Sequence, residues 1–282
     1  MNRIKCLDGL KLDIVTWLKD YLTQEELSCF VVGVSGGIDS AVSSTLAAET
    51  GHPTYVVSLP LMSKQQNHRL SHDHCKFLEE KYENVTYIEV ELSGAYDHFH
   101  HSLNWWSDAK GFKKTEFTSD ELTNANTKAR LRMMTLYQIA GSKGGMVVGT
   151  GNKVEDFGIG FFTKYGDGGV DISPIADLYK TEVWEFGKYL GVDQRIIDAT
   201  PTDGLWDDGR TDEDQIGASY EDLEWVMESG IVNNNHNYLE CESWKGEVIT
   251  PQLKTAIKVF AQYHKQNRHK MVSVPIFQFN QL

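Results

Sequence analysis

The residues best suited to chemistry stand together in the run Gly33-Val34-Ser35-Gly36-Gly37-Ile38-Asp39-Ser40. Glycines let a backbone turn tightly and come close to a ligand. Peptide N-H groups at a helix start, joined here by the Ser35 and Ser40 hydroxyls, point at bound anions. The run follows a predicted strand, Cys29 to Val34, and leads straight into a predicted helix, Ile38 to Thr50. That context makes it a pyrophosphate cradle rather than a plain Gly-Ser turn. It is neither a Gly-Lys-Ser/Thr phosphate loop nor a Gly-x-Gly-x-x-Gly dinucleotide fingerprint, so a different phosphate chemistry is implied. A carboxylate beside such a cradle makes sense when a cation sits between them, which assigns Asp39 to Mg²⁺.

Other polar groups carry weaker signals. His98, His100 and His101 with Trp105 and Trp106 lack a cysteine and suit Mg²⁺ poorly, so no metal is expected there. The acidic run Asp207, Asp208, Asp212, Glu213 and Asp214 lacks calcium-loop spacing and reads as a flexible lid or a solvated face. Lys180, taken alone, reads as a solvated position on a helix.

The elements that must position the cradle alternate. Strands are predicted at Cys29 to Val34, Thr54 to Leu59, Val85 to Val90 and Met146 to Gly149. Helices are predicted at Leu10 to Leu22, Ile38 to Thr50, Lys64 to Tyr82, Asn126 to Ala140 and about Tyr179 to Leu190. This order predicts an α/β fold, a Rossmann-like doubly wound parallel sheet flanked by helices. Leu10 to Leu22 is amphipathic and is expected to lie on a sheet or subunit surface. A short helix near Arg195, another at about Glu221 to Met227 and a last one from about Pro251 to Asn267 follow. Residues from about 93 to 119 read as an irregular insertion, and about 230 to 247 as a surface loop. The glycine-rich stretch Thr150 to Pro174 reads as a long functional loop.

With 282 residues, 40% of them hydrophobic and 24% charged, the chain reads as one globular domain over 1–282. A formal net charge of −13 argues against a general nucleic-acid binder. Charges at Arg3, Lys5, Asp8, Lys11, Asp13, Lys19 and Asp20 interrupt any early apolar run, so no membrane span is expected and a cytoplasmic location is. Cys6, Cys29, Cys75 and Cys241 lie far apart, which suits a reducing compartment and buried small side chains.

The pattern Ser-Gly-Gly-x-Asp-Ser resembles the signature of the PP-loop ATP pyrophosphatases, which cleave ATP between its α and β phosphates. Three later blocks narrow the resemblance: Asn126-x-Lys-Ala-Arg130-x-Arg-Met, Gly149-Thr150-Gly-Asn-Lys-x-Glu155, and Phe162-Thr-Lys164-Tyr-Gly-Asp167-Gly-Gly-x-Asp171. With Pro201-Thr202-Asp203 and His269-Lys270, they resemble consecutive motifs of the NAD synthetase family, ammonia-dependent type, in order from Phe30 to Lys270.

The resemblance implies the PP-loop fold and a ligase that joins ammonia to deamido-NAD through an adenylated nicotinate, consuming ATP and releasing AMP and pyrophosphate. It implies Mg²⁺ on Asp39 and Glu155. ATP would be held by Gly33 to Ser40, Thr150, Lys180 and Thr202, with Lys180 offsetting charge on the transferred phosphates. Asn126, Arg130, Lys164, Asp171, His269 and Lys270 would bind deamido-NAD, the last two on a C-terminal segment folded over the site. One residue more than the commonest family spacing separates Glu155 from the Phe-Thr-Lys block, which leaves Asp156 as an alternative second Mg²⁺ ligand. Residues 1–28, ahead of the first strand, leave no room for a fused glutaminase, so direct use of ammonia is expected and a separate glutaminase subunit stays open. A homodimer is expected, with the first helix as a contact. The rival expectations are another PP-loop adenylating ligase and a non-catalytic nucleotide sensor.

Overall fold

The strand Phe30–Gly33 (β1) is buried from Phe30 to Val32 and half-buried at Gly33, as its unbroken apolar run predicts. Phe30 and Val32 pack into one hydrophobic cluster and Val31 into another, the alternation that a strand's period of two imposes. A computed structural model of the chain describes residues 3–62, 65–110, 120–202, 211–233, 238 and 241–279. Three further strands, β2 (Thr54–Ser58), β3 (Val85–Glu89) and β4 (Met146–Val148), run parallel to β1 in the order β3-β2-β1-β4.

Helices cover both faces, as the alternating pattern requires. On one face lie α1 (Leu7–Gln24), α2 (Ile38–Glu49) and α3 (Gln65–Lys81). On the other, α4 (Ser93–Lys110) brings Tyr96 and α5 (Glu121–Lys143) brings Met133, Leu136 and Ala140 against Val31 and Val147. The chain then returns to the first face as α6 (Lys180–Leu190), where Val183, Phe186 and Leu190 meet Ile38 and Val42. Leu18 and Leu22 of α1 are fully buried in this core, while Trp17 stays exposed.

After α7 (Gln194–Ile197), the elements α8 (Asp212–Ile216), α9 (Tyr220–Ser229), the strand pair β5 (Ser243–Trp244) and β6 (Glu247–Val248), and α10 (Pro251–Met271) build a second core. It is joined from earlier in the chain by Tyr179 and by a π-helical turn, Val154–Ile159, through Val154 and Ile159.

Four expectations are corrected. The stretch from 93 is not irregular as far as 110: it is α4, anchored because Leu92 and Tyr96 are buried and Glu91 accepts the Ser93 N-H. Residues 111–119 lie outside the described residues, as do the side chains of Trp105 and Trp106. The stretch from 150 to 174 is not a simple loop, since it holds the π-helical turn. The stretch from 230 to 247 is packed at both ends: Ile231 is buried, and the Trp244 indole donates to the Ser229 carbonyl. Cys6 is exposed, and its sulfur caps α1 by accepting the Gly9 N-H; Cys29 and Cys75 are buried as expected. Among the described residues no helix is long and apolar enough to cross a membrane.

Between α2 and α3, the buried Ser44 hydroxyl and His74 Nε2 lie 3.1 Å apart. Burial pushes His74 down to about 4, because the imidazolium would lose its hydration there. The unfolded chain therefore takes up a proton near pH 6.5 that the native state refuses until about pH 4. Stability from His74 is complete above pH 6.5 and is lost as the pH falls toward 4, by about 2 kcal/mol at pH 5. Urea unfolding at pH 7 and pH 5 should show His74→Gln losing less stability on acidification than the wild type. An equal loss in both would remove His74 from the acid response.

Candidate active site

The carboxyl ends of β1, β2 and β4 open into a cavity of about 870 Å³. It lies where strand order reverses beside β1, the position at which open α/β sheets take ligands. Every residue from Gly33 to Ser40 lines it, as do Thr150 and Thr202. The turn before α2 needs Gly36 in the left-handed region, at φ 89°. The Ser40 hydroxyl accepts the Ser35 N-H and donates to the Gly37 carbonyl, so it braces the loop from within. No side chain caps the N-terminus of α2, which leaves its first amides directed at the cavity.

Lys180, the first residue of α6, is 2% exposed, not the solvated lysine its helix position alone suggested. Its Nζ donates to Asp39 Oδ2 at 2.6 Å and to Glu155 Oε1 at 3.0 Å. Burial would lower the lysine's pKa, but the two carboxylates outweigh it and hold the pKa above its ordinary value. Burial also works against ionised Glu155; Lys180 and the Tyr220 hydroxyl overcome it and depress that pKa. The ammonium thus stays charged and draws two carboxylates from distant parts of the chain toward one point.

Asn152 completes the arrangement from a fully buried position. Its Nδ2 donates to Asp39 Oδ1 at 3.1 Å, while its Oδ1 accepts the N-H groups of Val154 and Glu155. One side chain therefore ties the start of the π-helical turn to Asp39. The turn hydrogen-bonds across five residues, one more than an α-helical turn. The carbonyls leaving that turn are met by α10 side chains spaced three apart. His264 Nδ1 donates to Gly158, Asn267 to Ile159, and Lys270 Nζ to both Gly160 and Phe162 at 2.7 Å each. Glu155 is held toward Lys180, whereas Asp156 lies against Gly151 so closely that no Cβ would fit there. Burial, aided by the charges of Glu155, Asp167 and Asp39, pushes Asp156 up to about 8.

The donor set suits a hard divalent cation. Asp39 and Glu155 present oxygen ligands that converge on one ammonium. Among the described residues no group of three or more His, Cys, Asp or Glu is placed to hold a metal. A two-carboxylate site is what Mg²⁺ uses when nucleotide phosphates supply the remaining ligands.

The other predicted positions separate. Asn126 lines the main cavity and accepts the Thr163 hydroxyl. Arg130 and Lys164 line a shallower cavity of about 510 Å³ beside it, and Lys270 lines both. Asp171 lines neither: Tyr137 and the Val147 N-H donate to its two oxygens, tying α5 to β4. His269 is exposed and also lines neither. His269 and Lys270 belong to the last turn of α10, so the C-terminal segment expected over the site meets it as a helix, with Asn267 and Lys270 lining the main cavity. Basic residues there complement the helix C-terminus.

Sequence reasoning missed three residues. Asp212, read as part of a solvated face, is 6% exposed and lines the main cavity. Tyr220 lies within reach of both Glu155 and Asp212. Asn152 stood inside a quoted motif without a role. Asp203, Asp207 and Asp208 lie outside the described residues.

The profile of the NAD synthase family matches residues 11–273. The NH(3)-dependent NAD(+) synthetase of Carboxydothermus hydrogenoformans is 38% identical over 221 residues, 77% of this chain and 84% of that protein. A solved structure described as NMN synthetase from Francisella tularensis superposes with a TM-score of 0.79 at 30% identity, covering 98% of this chain and 100% of the other. The NH3-dependent NAD synthetase of Campylobacter jejuni shares the fold, with a TM-score of 0.70 at 22% identity over 97% of this chain and 100% of its own.

Proposed function

The chain belongs to the NAD synthase family, and from that membership we propose that it makes NAD from deamido-NAD, ATP and ammonia, releasing AMP and pyrophosphate. The single observation that carries the reading is that buried Lys180 bonds both Asp39, within the Gly33 to Ser40 cradle, and Glu155, with all of these residues lining one cavity.

Amide formation needs the nicotinate oxygen converted into a leaving group. Its carboxylate attacks the α-phosphorus of ATP, breaking the bond to the β-phosphate bridging oxygen. The backbone amides of the cradle hold the departing pyrophosphate, and Lys180 offsets charge growing on the transferred phosphate oxygens. Asp39 and Glu155 would hold Mg²⁺, which when bound neutralises phosphate charge. Thr150 and Thr202, which line the same cavity, would bond the nucleotide. Ammonia then adds to the activated carbonyl, a proton is lost to solvent, and AMP departs.

Arg130 and Lys164 in the shallow cavity suit the anionic end of the precursor, with Lys270 at the junction. Around them Met134 is 64% exposed and Tyr137 and Tyr165 are open to solvent, which supports a homodimer that completes this side of the site together with Asp171 and His269. Light scattering should give twice the chain mass, and a monomer at working concentration would count against this part.

The likeness to a protein named for NMN makes nicotinate mononucleotide the second substrate to test. Purified protein with ATP, MgCl₂ and ammonium should form NAD and pyrophosphate from deamido-NAD, with a higher kcat/KM than for the mononucleotide. Glutamine alone should give no turnover. The opposite preference would move the assignment to the mononucleotide. Nucleotide binding with neither product would leave a sensor.

A further inference from the structure

We propose that Tyr220 is a positioning residue for Glu155 and, through it, for the divalent cation of the reaction proposed above, on which this inference rests. Tyr220 opens α9 and is 1% exposed. Its hydroxyl donates to Glu155 Oε1 at 2.7 Å, the same oxygen that takes the Lys180 bond at 3.0 Å. Neither bond uses Oε2, and the Asn152 side chain adds a further hydrogen bond that favours the ionised carboxylate. With the Val154 and Glu155 amides fixed by Asn152, both the backbone and the carboxylate of Glu155 are held.

The ring does a second job. Lys180 Nζ lies 4.9 Å from its centroid, so one side chain touches the cation of the ion pair with its face and the anion with its hydroxyl. The ring itself is fixed edge-on to Trp184 at 6.0 Å, and the Tyr220 N-H is held by Glu213 at 2.9 Å. A tyrosine kept only for packing would need its buried hydroxyl satisfied by any acceptor. Here the acceptor is a carboxylate that the reaction needs in one orientation, and groups that orient metal-binding side chains commonly set metal affinity as strongly as some ligands do.

Tyr220→Phe keeps the ring and removes the bond. Mn²⁺ binding, followed by electron paramagnetic resonance in the presence of α,β-methylene-ATP, should weaken about tenfold. The KM values for deamido-NAD and ammonia should stay near wild type, and activity should recover as Mg²⁺ is raised. In a Glu155→Gln background the same substitution should add nothing, because the two residues act as one unit. Unchanged Mn²⁺ binding in Tyr220→Phe, additive effects in the double variant, or a Tyr220→Phe chain that does not fold would each overturn the assignment. If the wild type itself binds no Mn²⁺-nucleotide and forms no NAD, it is the functional reading that fails instead.

Discussion

Replacement of Lys180 by methionine should lower kcat by about a thousandfold and cost about 3–5 kcal/mol of stability, the two largest effects of any single change in this site. The stability loss follows from what is left behind. Asp39 and Glu155 are both turned toward Nζ, and without the ammonium they become two buried like charges. One of them should then take up a proton, with its pKa raised above the unfolded value. A raised acid pKa means that the folded variant binds more protons than its unfolded chain, so its stability should fall as the pH rises. Burial already raises Asp39 above its ordinary value with the ammonium in place, so the variant's slope should be steeper than the wild type's rather than new.

Added MgCl₂ should restore part of the variant's stability, because a divalent cation can stand where the ammonium stood. Urea unfolding across pH, with and without MgCl₂, measures both effects. Lys180→Arg separates stability from chemistry. It keeps a positive charge, but a planar fork cannot reproduce two bonds to a single buried nitrogen, so stability should return further than kcat does. A Lys180→Met protein with wild-type kcat would take Lys180 out of the chemistry.

Gly36→Val should give the second large loss, about a hundredfold in kcat/KM for ATP. At φ 89° Gly36 sits where a β-branched residue is strained. Relief of that strain would swing neighbouring amides away from the departing phosphates. The stability cost should be only about 1–3 kcal/mol, since the strain is local. Gly51→Ala is the control: Gly51 has φ 75° with open space around it, at the other end of α2. It should lose stability without any change in ATP kinetics. The exchange of labelled pyrophosphate into ATP, which reports adenylation alone, is the measurement. Equal kinetic losses in both variants would mean that the Gly36 effect is general destabilisation.

How much of this was legible beforehand depended on how local each feature is. The cradle could be read because a phosphate loop is made by consecutive residues: Gly36 turns, Ser40 braces, and the amides that follow belong to the same helix start. The parallel sheet could be read because strands buried on both faces must be apolar without interruption. The helix α4 could not, since what anchors it is the burial of Leu92 and Tyr96 against α5 and the sheet rather than a periodicity of its own. For the π-helical turn, the sequence placed Glu155 and Asp156 side by side but did not show which of them would meet Lys180. That was decided by the α10 side chains that satisfy the released carbonyls.

The sequence by itself determined the cradle, the alternating fold and the identity of the charged residues that serve it. Tertiary structure alone decided which of those charges are buried together. Lys180, Asp212 and Tyr220 look like surface or packing residues in a one-dimensional reading, because burial is a property of the elements that close over a side chain. Closure here comes from α8, α9 and α10, which lie far along the chain from Asp39. A charge acquires its function when distant elements remove water from around it and supply a partner, and no local pattern of residues records that event.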